Sequence, residues 1–435
     1  MTANEESVND TTIIIFGITG DLAVRKLLPA LFNLSCRGHV GDAVRIVGFA
    51  RRKRERAEML QALRDGVAEV GGLGDRLDEW DRFADRITYI SGDLNKLEDY
   101  QRLDEYLREQ VEAESDARNR LYYLSVAPGL YARCAELLGK CGMAQAARAG
   151  DGWRRVVIEK PFGHDYESSL ALDHSLRKVF NEDQIYRIDH YVGKETVQNI
   201  LYLRFLNTIF EPVWNRNYVE NVQITALEAG TVQGRVDFYD GTGVLRDMFQ
   251  NHLLQLMSTV AMEPPTSLEA EALRNEKVKV LQAVRRPCPD DTVRGQYRGY
   301  REHEGAAEDS QTATYAALRL EVENWRWKGV PFYLRSGKAT ASKVTEVVIQ
   351  FREPPHLLFG LDPASHIESN ALALCVEPDE GMHLRFVSKV PGGGTRTRPV
   401  DMEFHYGQSF RGEPIPEAYE QLLDDALRGE QSLFT

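Results

Sequence analysis

The residues of this chain best suited to chemistry are a glycine turn, a run of arginines and a few histidines. Gly17-Ile18-Thr19-Gly20-Asp21-Leu22 follows the apolar run Ile13-Ile14-Ile15-Phe16 and opens a helical stretch. Glycines there let the backbone turn tightly and approach a pyrophosphate, and the helix N-terminus offers it free N–H groups and partial positive charge. The spacing is G-x-x-G rather than G-x-G-x-x-G, and an ordinary strand–turn–helix shows it too. A second apolar strand, Val44 to Phe49, ends in Ala50-Arg51-Arg52-Lys53. An NAD site usually carries an acid at this point for the ribose 2′-hydroxyl. A carboxylate repels a 2′-phosphate, whereas an arginine fork matches it bidentately. Arg51 downstream of the glycine turn therefore points to NADP, while Lys53, Arg54 and Arg56 read as a solvated run opening a helix.

Ten histidines are present, and a histidine is the natural proton acceptor near neutral pH, with an unperturbed pKa of ~6.5. His252 lies inside the apolar helical stretch Val244 to Met262. On that ground alone it reads as a satisfied core histidine. Asp247, five residues earlier, stands about 140° around an α-helix, poorly placed to touch the ring. His190 and Lys194 are four apart, so on a helix they share a face and could converge on one anion; an arbitrary pair of this kind is simply exposed. No His, Cys or carboxylate group has ligand spacing, and no metal is expected.

The elements that must position these residues change character along the chain. Up to about residue 187, continuous apolar runs (Ile13–Phe16, Val44–Phe49, Ile87–Ser91, Leu121–Ser125, Arg155–Glu159) alternate with helical segments. That pattern predicts a parallel sheet covered on both faces, a Rossmann-like doubly wound α/β domain over 1–187. Over 188–435, helical patterns at Thr196–Asn207 and Val244–Met262 give way to alternating strands. Leu318, Leu320 and Val322 point one way, Arg319 and Glu321 the other, with similar strands around Val347–Ile349 and Leu384–Phe386. This predicts a larger α+β domain with a mostly antiparallel sheet. Cys288 to Ser310 is polar and reads as a surface excursion.

Composition narrows the function classes. At 435 residues, 43% hydrophobic and 27% charged, the chain suits two globular domains. A formal net charge of −13 argues against nucleic acid as a partner, and an anionic substrate must be held by a local cluster of cations. The five cysteines are scattered and read as reduced and mostly buried. No apolar run reaches membrane-span length, and the polar, acidic start has no signal-peptide pattern. A cytoplasmic protein without membrane partners is expected.

Gly17-Ile18-Thr19-Gly20-Asp21-Leu22-Ala23 with Arg25-Lys26-Leu27-Leu28-Pro29-Ala30 resembles the opening motif of glucose-6-phosphate dehydrogenases. Glu159-Lys160-Pro161-Phe162-Gly163 is similar to their E-K-P-F-G segment. Arg187-Ile188-Asp189-His190-Tyr191-Val192-Gly193-Lys194-Glu195 resembles their R-I-D-H-Y-L-G-K-E, with Val192 in place of Leu. Arg246 to His252 and Arg335-Ser336-Gly337-Lys338 resemble two later motifs. The resemblance runs in order from Thr12 onward. It implies oxidation of β-D-glucose 6-phosphate to 6-phosphogluconolactone with reduction of NADP, in a homodimer or homotetramer. It also implies some tens of residues beyond Gln431–Thr435, so that the second domain ends short here.

The resemblance assigns roles position by position. His252 becomes the general base and Asp189 the carboxylate that orients it; a carboxylate fixes the tautomer of such a base and steadies the imidazolium. His190 and Lys194 bind the substrate phosphate, and Glu228, Asp247, Lys338, Lys343 and Lys26 also contact the sugar phosphate. Gly17, Thr19, Gly20, Asp21, Leu22, Arg51, Asp93 and Lys160 fall to the coenzyme, with the Lys160–Pro161 bond cis. Two other readings remain. Other two-domain sugar oxidoreductases share the Rossmann domain and a Glu-Lys-Pro segment but need no phosphate pair, and a nonenzymatic NADP-binding subunit predicts degraded catalytic positions.

Overall fold

The computed structural model describes residues 7–8, 10–69, 73–113, 119–146, 152–232, 234–356, 369–393, 396–410 and 416–434. The chain divides into two compact units, one of residues 1–193 with 416–435 and one of 194–415. This corrects the boundary drawn from sequence at 187/188. The turn after residue 188 stays with the first unit, and the last segment returns to it instead of completing the second. The helix Ala418–Arg428 carries an apolar stripe (Tyr419, Leu422, Leu423, Ala426, Leu427) that is buried in the first unit's core, and no local pattern says which core such a stripe joins.

The first unit holds a six-stranded parallel sheet: β1 Thr11–Phe16, β2 Arg45–Ala50, β3 Ile87–Ser91, β4 Asn119–Leu124, β5 Arg154–Glu159 and β6 Ile185–Ile188. The strand order is β3-β2-β1-β4-β5-β6, the doubly wound arrangement whose order reverses beside β1. Along β1, Ile13 and Ile15 enter one hydrophobic cluster and Ile14 and Phe16 the other. Both faces are covered, which is why the strands read as unbroken apolar runs. The short β6 does not stand out in the apolar pattern; it pairs with β5 from Val156↔Ile185 to Glu159↔Ile188.

The second unit holds an eight-stranded sheet: β7 Val219–Leu227, β8 Thr292–Gly295, β9 Tyr315–Glu321, β10 Pro331–Gly337, β11 Val344–Phe351, β12 Ala371–Glu377, β13 Gly381–Lys389 and β14 Thr397–His405. The order is β14-β13-β12-β11-β7-β10-β9-β8. β7 and β10 pair in parallel, and the other pairings are antiparallel. β10 buries Phe332 and Leu334 and exposes Tyr333 and Arg335, the alternation of a sheet with one covered face. The 288–310 stretch is more than a surface excursion: it supplies edge strand β8 and buries Tyr300, whose hydroxyl donates to Asp240 Oδ1 at 2.9 Å.

The helical stretch Val244–Met262 is also not uniform. A helix Val236–Val244 breaks at Gly243 (φ 68°), Leu245–Leu253 is bonded i→i+5, and Leu254–Ala261 is α-helical. Carbonyls at the end of the last helix are satisfied by the indoles of Trp214, to Val260 O at 2.9 Å, and Trp327, to Ala261 O at 2.8 Å, and by Arg204, to Met262 O at 2.8 Å. Those bonds anchor the base of the helix that carries Asp247 and His252. Among the cysteines only Cys134 is fully buried and Cys36 and Cys288 are exposed, against the expectation of mostly buried thiols.

Candidate active site

In the first unit, parallel pairing brings successive strand ends to one edge. Phe16 is in register with Phe49 on β2 and Leu124 on β4, so Gly17 leaves the sheet at the point where the strand order reverses. Gly17 N donates to Phe49 O at 2.7 Å and Gly20 N to Gly17 O at 2.8 Å, closing the turn that contains Thr19 and leads through Asp21 and Leu22 into the helix. Gly17 adopts φ +81°, and a Cβ on it would stand 2.2 Å from the Ser125 carbonyl oxygen. Only glycine fits, and with it the chain turns tightly out of β1 in the way a pyrophosphate-binding turn requires. Asp21 pairs with Arg25 at 3.0 Å on the surface.

Ala50 is in register with Ser91, so Arg51 and the Gly92–Asp93 turn leave β2 and β3 side by side. Arg51 is exposed. The Asp93 carboxylate accepts Asn95 N–H at 3.0 Å, and Asp93 N–H donates to Asp99 Oδ2 at 2.7 Å. Asp93 thus holds its own turn.

Glu159 and Ile188 are partners at the ends of β5 and β6, which sets Lys160 and Asp189 on adjacent strand exits. The Lys160–Pro161 bond is cis. Asp189 is buried and its Oδ1 accepts Tyr191 N–H at 3.0 Å. His190 stacks on Tyr419 (centroids 6.5 Å apart, planes at 13°). Neither Tyr419 nor Glu159 stands out in the sequence as a site residue, yet they form a buried group. Tyr123 Oη donates to Glu159 Oε1 at 2.5 Å, and Tyr419 also hydrogen-bonds this carboxyl. Burial pushes Glu159 up to about 7 against those bonds and the charge of Lys160. Tyr419 lies 260 positions downstream, beyond any spacing signal. Lys26 is paired with Glu417 from the same returning segment.

His190 and Lys194 do not share a helix face. The residues 190–193 form a turn, and Lys194 has extended backbone angles (φ −76°, ψ 131°) at the start of the helix Glu195–Leu206. The i,i+4 geometry expected of them therefore does not hold.

In the second unit, the parallel β7–β10 pair matters because parallel strands end together. Leu227 is in register with Gly337, so Glu228 and Lys338 emerge next to each other and form an ion pair. Lys338 Nζ is also 4.0 Å from Asp247 Oδ2 and 5.4 Å from the Tyr239 ring centre. The structure thereby unites three predicted substrate residues, and adds Tyr239. Its hydroxyl is buried with no hydrogen-bond partner among the described residues. Burial, then the charges of Asp247 and Glu228, raise its pKa.

Lys194 and Lys343 converge on another residue that spacing does not reveal, Glu377 at the end of β12. Lys194 forms an ion pair with it, and Lys343 Nζ lies 2.8 Å from Oε2. Burial opposes ionisation of Glu377, but the two ammonium partners outweigh it and hold the carboxyl below its ordinary range. His252 is buried within the i→i+5 segment. Residues five apart in such a segment lie nearly one above the other, so the 140° separation inferred for Asp247 and His252 from α-helical geometry does not hold.

Residues 14–199 match the family model described as "Glucose-6-phosphate dehydrogenase, NAD binding domain", and 201–435 match "Glucose-6-phosphate dehydrogenase, C-terminal domain". The chain belongs to the glucose-6-phosphate dehydrogenase family. It is 45% identical to "Glucose-6-phosphate 1-dehydrogenase 2" of Mycobacterium tuberculosis, over 97% of this chain and 84% of that protein. It is 43% identical to the Aggregatibacter actinomycetemcomitans glucose-6-phosphate 1-dehydrogenase, over 97% and 86%. A solved glucose-6-phosphate dehydrogenase in complex with glucose-6-phosphate superposes with a TM-score of 0.91 at 34% identity, covering 100% of this chain and 89% of that one. The Mycobacterium avium glucose-6-phosphate 1-dehydrogenase structure gives 0.86 at 38% identity, over 98% and 88%. A levoglucosan dehydrogenase, 11% identical with a TM-score of 0.53, shares the fold alone. Among the described residues no helix is long and apolar enough to cross a membrane.

Proposed function

We propose that this member of the glucose-6-phosphate dehydrogenase family oxidises C1 of β-D-glucose 6-phosphate to 6-phosphogluconolactone with NADP, the opening step of the oxidative pentose phosphate pathway. The observation that carries this reading is the family match across both units, with the motifs described above kept in order and Val192 in place of Leu as the departure within them.

Hydride leaves C1 as the O1–H proton is removed. His252 is the group proposed to take that proton, and Asp189 the carboxylate that steadies the resulting imidazolium. Lys194, Lys343 and His190 hold the phosphate, whose charge of roughly −1.5 to −2 at neutral pH needs local cations in a chain of net charge −13. Glu228 and Asp247 accept sugar hydroxyls, with Lys338 between them and Lys26 as a further contact.

The first unit's residues fit a dinucleotide, since glycine at 17 lets the turn leave β1 tightly against the Ser125 carbonyl, where a Cβ would clash, and the helix behind it presents its N-terminus. When bound, the nicotinamide accepts the hydride. Gly17, Thr19, Gly20, Asp21 and Leu22 line the pyrophosphate turn, Arg51 meets the 2′-phosphate, Asp93 stands on the adenosine side and Lys160 at the nicotinamide end. The choice of NADP over NAD rests on Arg51, and a cytoplasmic homodimer or homotetramer on the family. The test is the initial rate with glucose 6-phosphate and with glucose, each with NADP and NAD. Turnover of the phosphate ester with NADP supports the reading, and equal turnover of glucose contradicts it. Arg51→Ala is expected to raise KM for NADP far more than for NAD; equal weakening contradicts the 2′-phosphate assignment.

A further inference from the structure

Spacing along the chain suggests no metal site, but strand pairing brings three potential metal ligands together in the second unit. β13 and β14 are antiparallel neighbours at the end of the sheet, with His383 directly opposite Glu403 and Gly381 opposite His405. Glu403 and His405 are two apart on one strand, so they face the same side. His383 Nδ1 lies 3.5 Å from Glu403 Oε1, and His405 Nε2 lies 3.5 Å from Glu403 Oε2. One ligand atom from each of the three residues falls within 4.8 Å of the others. Ligand atoms held about 2.1 Å from a tetrahedral ion stand roughly 3.4 Å from one another, close to the separation of each imidazole from the Glu403 oxygen nearest it. The imidazole planes are nearly perpendicular, at 85°, with centroids 5.2 Å apart, so the two rings do not stack and exclude an ion.

The far side of His405 completes the pattern. Asp379 Oδ2 is 3.1 Å from His405 Nδ1. The ring nitrogen is buried, with the Asp379 carboxylate at ion-pair distance from it. A carboxylate on the outer nitrogen of a metal-binding imidazole is the usual way such a ring is oriented and made more basic. Gly381, opposite His405, contributes no side chain, and a Cβ there would meet Phe404 O at 2.2 Å. Nothing on the facing strand therefore covers the imidazole at that register.

We propose that His383, Glu403 and His405 form a binding site for a zinc-class divalent ion, oriented by Asp379, which pins the outermost strand pair of the sheet. Two imidazoles and a carboxylate suit zinc and its late first-row neighbours rather than calcium or magnesium. The site uses none of the residues assigned to sugar, phosphate or coenzyme.

The test is calorimetric titration of the whole chain with zinc chloride alone, in a Cys36→Ser/Cys288→Ser background that removes the exposed thiols. One zinc per chain is expected. Asp379→Asn should weaken binding about tenfold, and His383→Ala or His405→Ala by more than the roughly 10–100-fold that loss of an outer partner costs. Cobalt in place of zinc should give visible d–d absorption that disappears in the histidine variants. Where a His405 variant fails to fold by circular dichroism, His383→Gln alone decides. Absence of zinc binding in the parent, or unchanged affinity in His383→Gln, overturns the proposal.

Discussion

Glu377 stands between Lys194 and Lys343 where a phosphate is proposed to bind, so its carboxylate competes for the same two cations. The substitution Glu377→Gln keeps the shape and removes the charge. A phosphate dianion drawn to those lysines comes within about 5 Å of the carboxylate, and Coulomb's law puts their repulsion at about 1.7 kcal/mol even at the dielectric constant of water. That corresponds to about fifteenfold in affinity, and partial burial of the site enlarges it. The lysine–carboxylate pairs themselves are partly exposed and worth ~1 kcal/mol or less each, so the fold should survive. In a spectrophotometric assay of NADP reduction, Glu377→Gln is expected to lower KM for glucose 6-phosphate by about fifteenfold or more, leaving KM for NADP unchanged. Inorganic phosphate should inhibit the variant at correspondingly lower concentration. An unchanged or raised KM for glucose 6-phosphate refutes the reasoning, because it means either that Glu377 props the lysines in place or that they do not bind phosphate.

Two further outcomes follow from the first unit. Gly17→Ala forces a side chain into φ +81° and against Ser125 O, at about 1–2 kcal/mol for the backbone alone. Coenzyme affinity should fall at least tenfold while calorimetric binding of glucose 6-phosphate is retained, and unchanged coenzyme affinity contradicts the turn assignment. Glu159, raised by burial to about 7 from a carboxylate's ordinary 4.5, holds its proton longer in the folded chain than in the unfolded one. Its contribution to stability is complete below about pH 4.5 and is lost as pH rises through about 7, on the order of 3 kcal/mol. Glu159→Gln should reduce that fall by this amount in urea unfolding at pH 4.5 and 7.5; an equal fall in parent and variant contradicts it.

Much of this architecture is written in local pattern. The unbroken apolar runs announce a sheet covered on both faces, and Leu318–Leu320–Val322 announce one with a solvated face, because burial acts on each side chain separately. The glycine turn is legible for the same reason: Gly17 answers a constraint on its own backbone. Contacts set by tertiary pairing are not legible in this way. Tyr419 reaches Glu159 only because the last helix returns to the first unit's core. Glu377 meets Lys194 and Lys343 through the sheet, and His383 meets His405 through strand register. Helix periodicity misleads at two places. Lys194 starts a helix that His190 is not part of, and the Asp247–His252 segment is wound i→i+5, a conformation with no recognisable sequence period.

The central claim is that an imidazole at position 252 removes the O1 proton as hydride leaves C1. Steady-state rates of NADP reduction with glucose 6-phosphate, measured for the parent chain and His252→Asn, test it most directly. In the variant kcat is predicted to fall by roughly 10²–10⁴-fold while KM for glucose 6-phosphate stays within a few-fold of the parent value. Turnover by His252→Asn at the parent rate contradicts the claim.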